Sequence, residues 1–117
     1  MHKVLVIDDA PECRQALSRL LELNGHTVEC AGDGQEGLDK LERFAADTII
    51  LDLRMPVMDG PSFLERMRQH PEWRDIHVVV FTGCGDRVSA EQLSSLGVSE
   101  IFMKGAPNLL RLLRVVA

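Results

Sequence analysis

Three short stretches of the chain are apolar at nearly every position. They are residues 4–7 (Val-Leu-Val-Ile), 48–53 (Thr-Ile-Ile-Leu-Asp-Leu) and 76–82, centred on Val78-Val79-Val80-Phe81. Runs this short and this rich in β-branched residues predict strands buried on both faces. Two weaker runs, 26–31 and 99–103, complete a set of five. Between them the period changes. Pro11 suits a first helical turn, where its missing N–H is not needed. Leu17, Leu20, Leu21 and Asn24 follow at i, i+3, i+4 spacing, and Gly25 is a stop. Asp33, or the Gly32/Gly34 pair, opens a second helix with Leu38, Leu41 and Ala45 on one face. Pro61 opens a third that runs to about His70, with Phe63, Leu64 and Met67 inward. Residues 87–96 predict a poorly amphipathic fourth helix, since Val88, Leu93 and Leu96 hold no clean spacing. Residues 107–116 predict a short fifth.

Strand and helix alternating five times imply an α/β fold, a five-stranded parallel sheet covered by helices on both faces. Of the common doubly wound orders, five strands fit the flavodoxin-like (βα)5 order 2-1-3-4-5. At 117 residues the chain has room for one domain, residues 1–117. Thirteen basic against 18 acidic residues give −5, which argues against direct nucleic-acid binding and against anionic membranes. No stretch approaches the ~20 apolar residues of a membrane span. The three cysteines, Cys13, Cys30 and Cys84, form no metal or disulfide pattern. A cytoplasmic protein with small thiols in a reducing compartment is expected.

In the 2-1-3-4-5 order, ligands bind outside the carboxyl ends of the strands. Asp8 and Asp9 follow the first strand, Asp52 lies near the end of the third, Thr82 ends the fourth, and Lys104 follows the fifth. Single acidic residues at strand ends are commonly solvated loop charge, a threonine a helix cap, a lysine surface charge. Their joint occurrence at four strand ends resists that reading. Three carboxylates converging there repel one another unless a cation intervenes. All-oxygen ligands favour a hard cation, and Mg²⁺ takes one or two carboxylates plus waters and phosphate oxygens. Lys104 adds positive charge, and the Thr82 hydroxyl can donate to a phosphoryl oxygen. One carboxylate can act as nucleophile and form an aspartyl phosphate.

With these residues in view, the sequence resembles the receiver domain of two-component response regulators over essentially its whole length. The resemblance is carried by Val4-Leu5-Val6-Ile7-Asp8-Asp9, by Ile50-Leu51-Asp52-Leu53-Arg54-Met55-Pro56-Val57-Met58-Asp59-Gly60, by Val80-Phe81-Thr82-Gly83 and by Lys104. The D-x-x-M-P-x-M-D-G stretch is the most specific. The resemblance implies that Asp52 accepts a phosphoryl group from a phosphohistidine of a sensor histidine kinase or phosphotransfer protein. It implies Mg²⁺ on Asp8, Asp9 and Asp52, Asp9 directly and Asp8 through water, with the Arg54 backbone carbonyl completing the shell. Lys104 then pairs with the phosphoryl group and Thr82 hydrogen-bonds it. Pro56, Met58 and Gly60 shape the loop. An output partner or domain, or a second copy in a homodimer, would use the face made by helix 4, strand 5 and helix 5.

Two positions depart from the family pattern. Ile101 stands where an aromatic usually swings inward behind the threonine, with Phe102 beside it. Gly105 follows Lys104 where a cis proline is usual, so a trans Lys104–Gly105 bond is expected, non-proline cis costing ~3 kcal/mol. Cys84, two residues after Thr82, is expected to affect water access to the acyl phosphate. His2, His26, His70 and His77 show no ligand spacing and are expected at the surface or in capping roles; Trp73 is expected to pack as a lid. The rival readings are an aspartate-nucleophile phosphohydrolase and a flavin carrier of the same fold. Asp8-Asp9-Ala10-Pro11 lacks the Asp-x-Asp of the first. Two carboxylates after the first strand would repel the phosphate of the second.

Overall fold

Five parallel strands pair in the order β2-β1-β3-β4-β5 in a computed structural model that describes residues 2–83 and 90–116. They are β1 (Lys3–Ile7), β2 (Thr27–Ala31), β3 (Thr48–Leu51), β4 (His77–Thr82) and β5 (Val98–Met103). The helices are α1 (Pro11–Leu23), α2 (Gly34–Leu41), α3 (Gly60–Arg68), α4 (Ala90–Ser95) and α5 (Ala106–Val116). The order and the parallel sense are those expected from the apolar runs. Val4 to Ile7, Thr48 to Leu51 and Val78 to Val80 are all buried, as strands covered on both faces must be.

Strand alternation divides the core in two. Leu5, Ile7, Ile49, Leu51, Val78 and Val80 face one way and meet Phe63, Leu64 and Met67 of α3 and Leu93 of α4. Val4, Val6, Ile50, Val79 and Phe81 face the other and meet Leu17 and Leu21 of α1 and Leu112 and Val116 of α5. Each such side chain, fully buried, contributes roughly 1.5–3 kcal/mol. Along α5, Leu112 and Val116 are buried and Leu109 and Leu113 partly so, while Leu110 is 64% exposed.

Local differences from the sequence reading have local causes. After Leu41 the chain turns, with Arg43 N and Phe44 N both donating to the Lys40 carbonyl. Ala45 is therefore exposed, and Ala46, not Ala45, enters the core. Helix α3 starts at Gly60, because Asp59 caps it by accepting from Ser62 N at 2.9 Å. A 3-10 turn at Pro71–Trp73 follows, and Trp73 is part of the core rather than a lid over it. His26 is buried, its Nδ1 accepting from His2 N at 3.0 Å, a structural role. Residues 87–89 of the expected fourth helix, Val88 among them, and Cys84 lie outside the described residues.

Candidate functional site

Strand register brings the site together. Ile7 pairs with Leu51, so the next residues, Asp8 and Asp52, leave the sheet side by side. Asp52 N still donates to the Ile7 carbonyl at 2.9 Å, and Asp8 N to the Ala31 carbonyl at 3.0 Å, which holds both just past the last rung of the ladder. Leu51 pairs with Val80, and Thr82 lies two residues on, on the same face as Val80. Thr82 pairs with Met103, and its carbonyl accepts from Lys104 N at 2.9 Å. Four strand ends thus deliver the five expected side chains to one crevice.

Within it, one oxygen each of Asp8, Asp9 and Asp52 lie within 4.8 Å of one another. Asp8 and Asp52 are 2% and 6% exposed, whereas Asp9 opens to solvent. Asp52 is gripped from three sides. Its Oδ1 accepts from Leu53 N at 2.8 Å and from the Thr82 hydroxyl at 2.7 Å, and its Oδ2 meets Lys104 Nζ at 3.2 Å. Asp8 Oδ1 accepts from Ala10 N at 2.9 Å, and its Oδ2 pairs with Lys104 Nζ at 3.0 Å. Burial alone would lower the pKa of the Lys104 ammonium. The hydrogen bonds and charges of Asp8 and Asp52 outweigh burial and hold it above the usual lysine range, firmly protonated. Burial, reinforced by the neighbouring Asp8, pushes the Cys13 thiol up to about 11, so it stays protonated and unreactive.

Among the described residues Lys104 pairs with Asp8 and Asp52 and leaves Asp9 unpaired, so the three carboxylates outnumber Lys104 and Arg54 at an opening lined by Asp9, Asp52, Arg54, Gly83 and Lys104. An all-oxygen donor set with surplus negative charge is what a hard divalent cation requires. The loop from Arg54 to Asp59 is pinned to the site by close backbone approach. Gly60 N donates to the Leu53 carbonyl at 2.9 Å, and a Cβ on Gly60 would lie 2.8 Å from both the Asp52 carbonyl oxygen and Leu53 Cα. Any larger residue would push α3 off the Asp52 backbone.

Both departures from the family pattern have structural counterparts. Ile101 pairs with Val80 and, by alternation, lies on the Thr82 side of the sheet, 39% exposed. Phe102 is on the opposite face, packed against the α1/α5 core. There is no cis peptide among the described residues, and Gly105 has φ +153°, which the proline ring, locked near −65°, could not adopt. Sequence reasoning missed Arg14, whose Nη1 donates to the Asp8 carbonyl at 2.7 Å. The available signal was a basic residue in the opening turns of a helix, where the macrodipole favours acidic ones.

Comparison with known proteins agrees with this arrangement. Residues 4–115 match the family described as the response regulator receiver domain. A probable chemotaxis protein CheY of Rhizobium etli is 32% identical over 103 residues, 87% of this chain and 80% of that protein. The structure of chemotaxis response regulator CheY4 of Vibrio cholerae superposes with a TM-score of 0.88 at 31% identity, covering 100% of this chain and 99% of that one. That of TrrA from Thermotoga maritima, in complex with Mg²⁺ and BeF, gives 0.85 at 28% identity over 99% and 96% of the two chains. Other relatives are longer. The match spans 26% of a protein-glutamate methylesterase of Anaeromyxobacter dehalogenans (41% identical over 95 residues, 80% of this chain). Among the described residues no helix is long and apolar enough to cross a membrane. A flavodoxin-like sheet with this acidic crevice at its carboxyl edge, together with the match over residues 4–115, places the chain in the receiver-domain family of two-component response regulators.

Proposed function

We propose that Asp52 is the phosphoacceptor, that Asp8, Asp9, Asp52 and the Arg54 carbonyl hold Mg²⁺, and that Thr82 and Lys104 receive the phosphoryl oxygens. On this reading residues 1–117 form one receiver domain that works in the cytoplasm. The carrying observation is that both oxygens of a nearly buried Asp52 already sit on donors, Thr82 Oγ1 at 2.7 Å and Lys104 Nζ at 3.2 Å, beside two further carboxylates. In the transfer an Asp52 oxygen attacks phosphorus and the P–N bond of a phosphohistidine breaks, the imidazole leaving with the electron pair. Thr82 and Lys104 shift their hydrogen bonds from the free carboxylate to the incoming phosphoryl oxygens. That accounts for charge stabilisation without a separate acid or base. Mg²⁺, when bound, offsets the negative charge that carboxylates and phosphoryl group bring together.

The donor of the phosphoryl group is a sensor histidine kinase or phosphotransfer protein. Output runs to a partner, a further domain or a second copy through the face of α4, β5 and α5, where Ile101, Met103 and Leu110 are exposed. The domain promotes only its own phosphoryl transfer and slow dephosphorylation and turns over no metabolite. Intact mass after incubation with acetyl phosphate and Mg²⁺ tests the reading. One labile phosphoryl adduct is expected, lost in Asp52→Asn, whose amide is near-isosteric and a poor nucleophile. An adduct persisting on that variant refutes the assignment. Steady release of phosphate from small esters would favour a phosphohydrolase.

A further inference from the structure

The Asp9 carboxylate is exposed and, among the described residues, has no hydrogen bond or ion pair. Its aim is therefore set by the backbone alone. The peptide that enters Asp9 begins at the Asp8 carbonyl, and that carbonyl is held by a single side chain, the half-buried Arg14, at 2.7 Å. Every other polar group of Asp8 has its own partner: N on Ala31, Oδ1 on Ala10 N, Oδ2 on Lys104. Arg14 is itself rigidly based, its N donating to the Ala10 carbonyl at 3.0 Å in the first turn of α1.

We infer that Arg14 is a positioning residue for the cation site: its guanidinium fixes the Asp8–Asp9 peptide plane and thereby points the otherwise unheld Asp9 carboxylate at the metal. The inference rests on the reading of Asp8, Asp9 and Asp52 as a Mg²⁺ site. Its electrostatic and geometric consequences have opposite signs, so they separate cleanly. A positive charge beside a cation site repels the cation, and deleting that charge should tighten binding if charge were all Arg14 supplied. If Arg14 positions the ligand, deleting it weakens binding, as loss of partners behind the direct ligands does, by about 10–100-fold.

The experiment is calorimetric titration with Mg²⁺ alone on wild type, Arg14→Gln, Arg14→Lys and, as a charge control on the same helix, Arg19→Gln. Asp9 and Ala10 amide shifts of the metal-free proteins are recorded in parallel. We expect Arg14→Gln to weaken Mg²⁺ about tenfold, with displaced Asp9 and Ala10 amides, and Arg19→Gln to leave both unchanged. Arg14→Lys keeps the charge but ends one bond short of the guanidinium Nη, in a compact ammonium, and is expected to recover part of the loss. Should Arg14→Gln fail to fold, Arg14→Lys carries the test, since weakened binding at constant charge is a purely geometric effect. Unchanged or tighter Mg²⁺ binding in folded Arg14→Gln, or in folded Arg14→Lys where that variant carries the test, overturns the inference. Absence of Mg²⁺ binding in wild type would instead overturn the metal-site reading on which it stands.

Discussion

Val57 is held at φ +66° while 83% exposed, and Met58 N donates to the Pro56 carbonyl at 2.6 Å across it. That is a three-residue γ-turn of the rare, strained hand, centred on a β-branched residue. A positive φ costs a residue with a Cβ ~1–2 kcal/mol, and glycine, asparagine and aspartate bear it best. Val57→Asn should recover most of that. The burial forfeited is small: at 83% exposure, less than a fifth of the ~1.5–3 kcal/mol of a fully buried valine, or roughly 0.4 kcal/mol, is at stake. A net gain of about 1 kcal/mol follows, which for a domain of this size raises Tm by about 4 °C. Val57→Gly relieves the same strain but adds ~0.5–1 kcal/mol of unfolded-state freedom, so its gain should be smaller. Val57→Ala, which keeps a Cβ in the strained region, should gain least. Thermal and urea denaturation of the three variants is the assay. The reasoning fails if Asn is no more stable than Val, or if Ala gains as much as Asn, since exposure and not backbone strain would then be the cause.

Burial, with some help from His2, holds the pKa of His26 below the ordinary histidine value, and Asp47 only partly opposes this. The unfolded chain therefore binds the proton more readily, so this contribution is whole above about pH 6.5 and is lost as pH falls through the depressed native value. His26→Gln can still accept from His2 N, and should flatten that part of a stability–pH profile; an unaltered slope would show that His26 is not the titrating group. Mg²⁺ should raise Tm by mass action, about 2.7 kcal/mol at a hundredfold excess over Kd, and Asp9→Ala should lose most of the effect. A melting temperature indifferent to Mg²⁺ in wild type would count against the site. Beryllofluoride should perturb amides mainly in residues 83–89 and in α4, because Ile101 is stiff at χ1 and Phe102 faces the other core. Equally large changes through Ile101 and α5 would contradict that.

What the sequence by itself determined was the kind and order of the elements and the residues at the strand ends. Strand and helix periods depend on neighbours a few residues away, so β1, β3 and β4 stood out as apolar runs. The acidic pair after β1, Asp52 in its D-x-x-M-P-x-M-D-G stretch, Thr82 and Lys104 were legible because strand ends in this topology must share one edge. Tertiary structure decided what depends on register and closure. Ala46 displaces Ala45 from the core because the chain turns at Lys40, a choice of one residue that no periodicity contains. Trp73 joins the core because a 3-10 turn folds it inward. The facing of Ile101 and Phe102 waits on how β5 pairs with β4, where the register shifts between Val78 and Val79. The grip of Arg14 on the Asp8 carbonyl leaves no trace beyond a basic residue early in α1, because a backbone acceptor looks the same whatever residue supplies it; only the docking of α1 against the end of β1 brings the two within 2.7 Å.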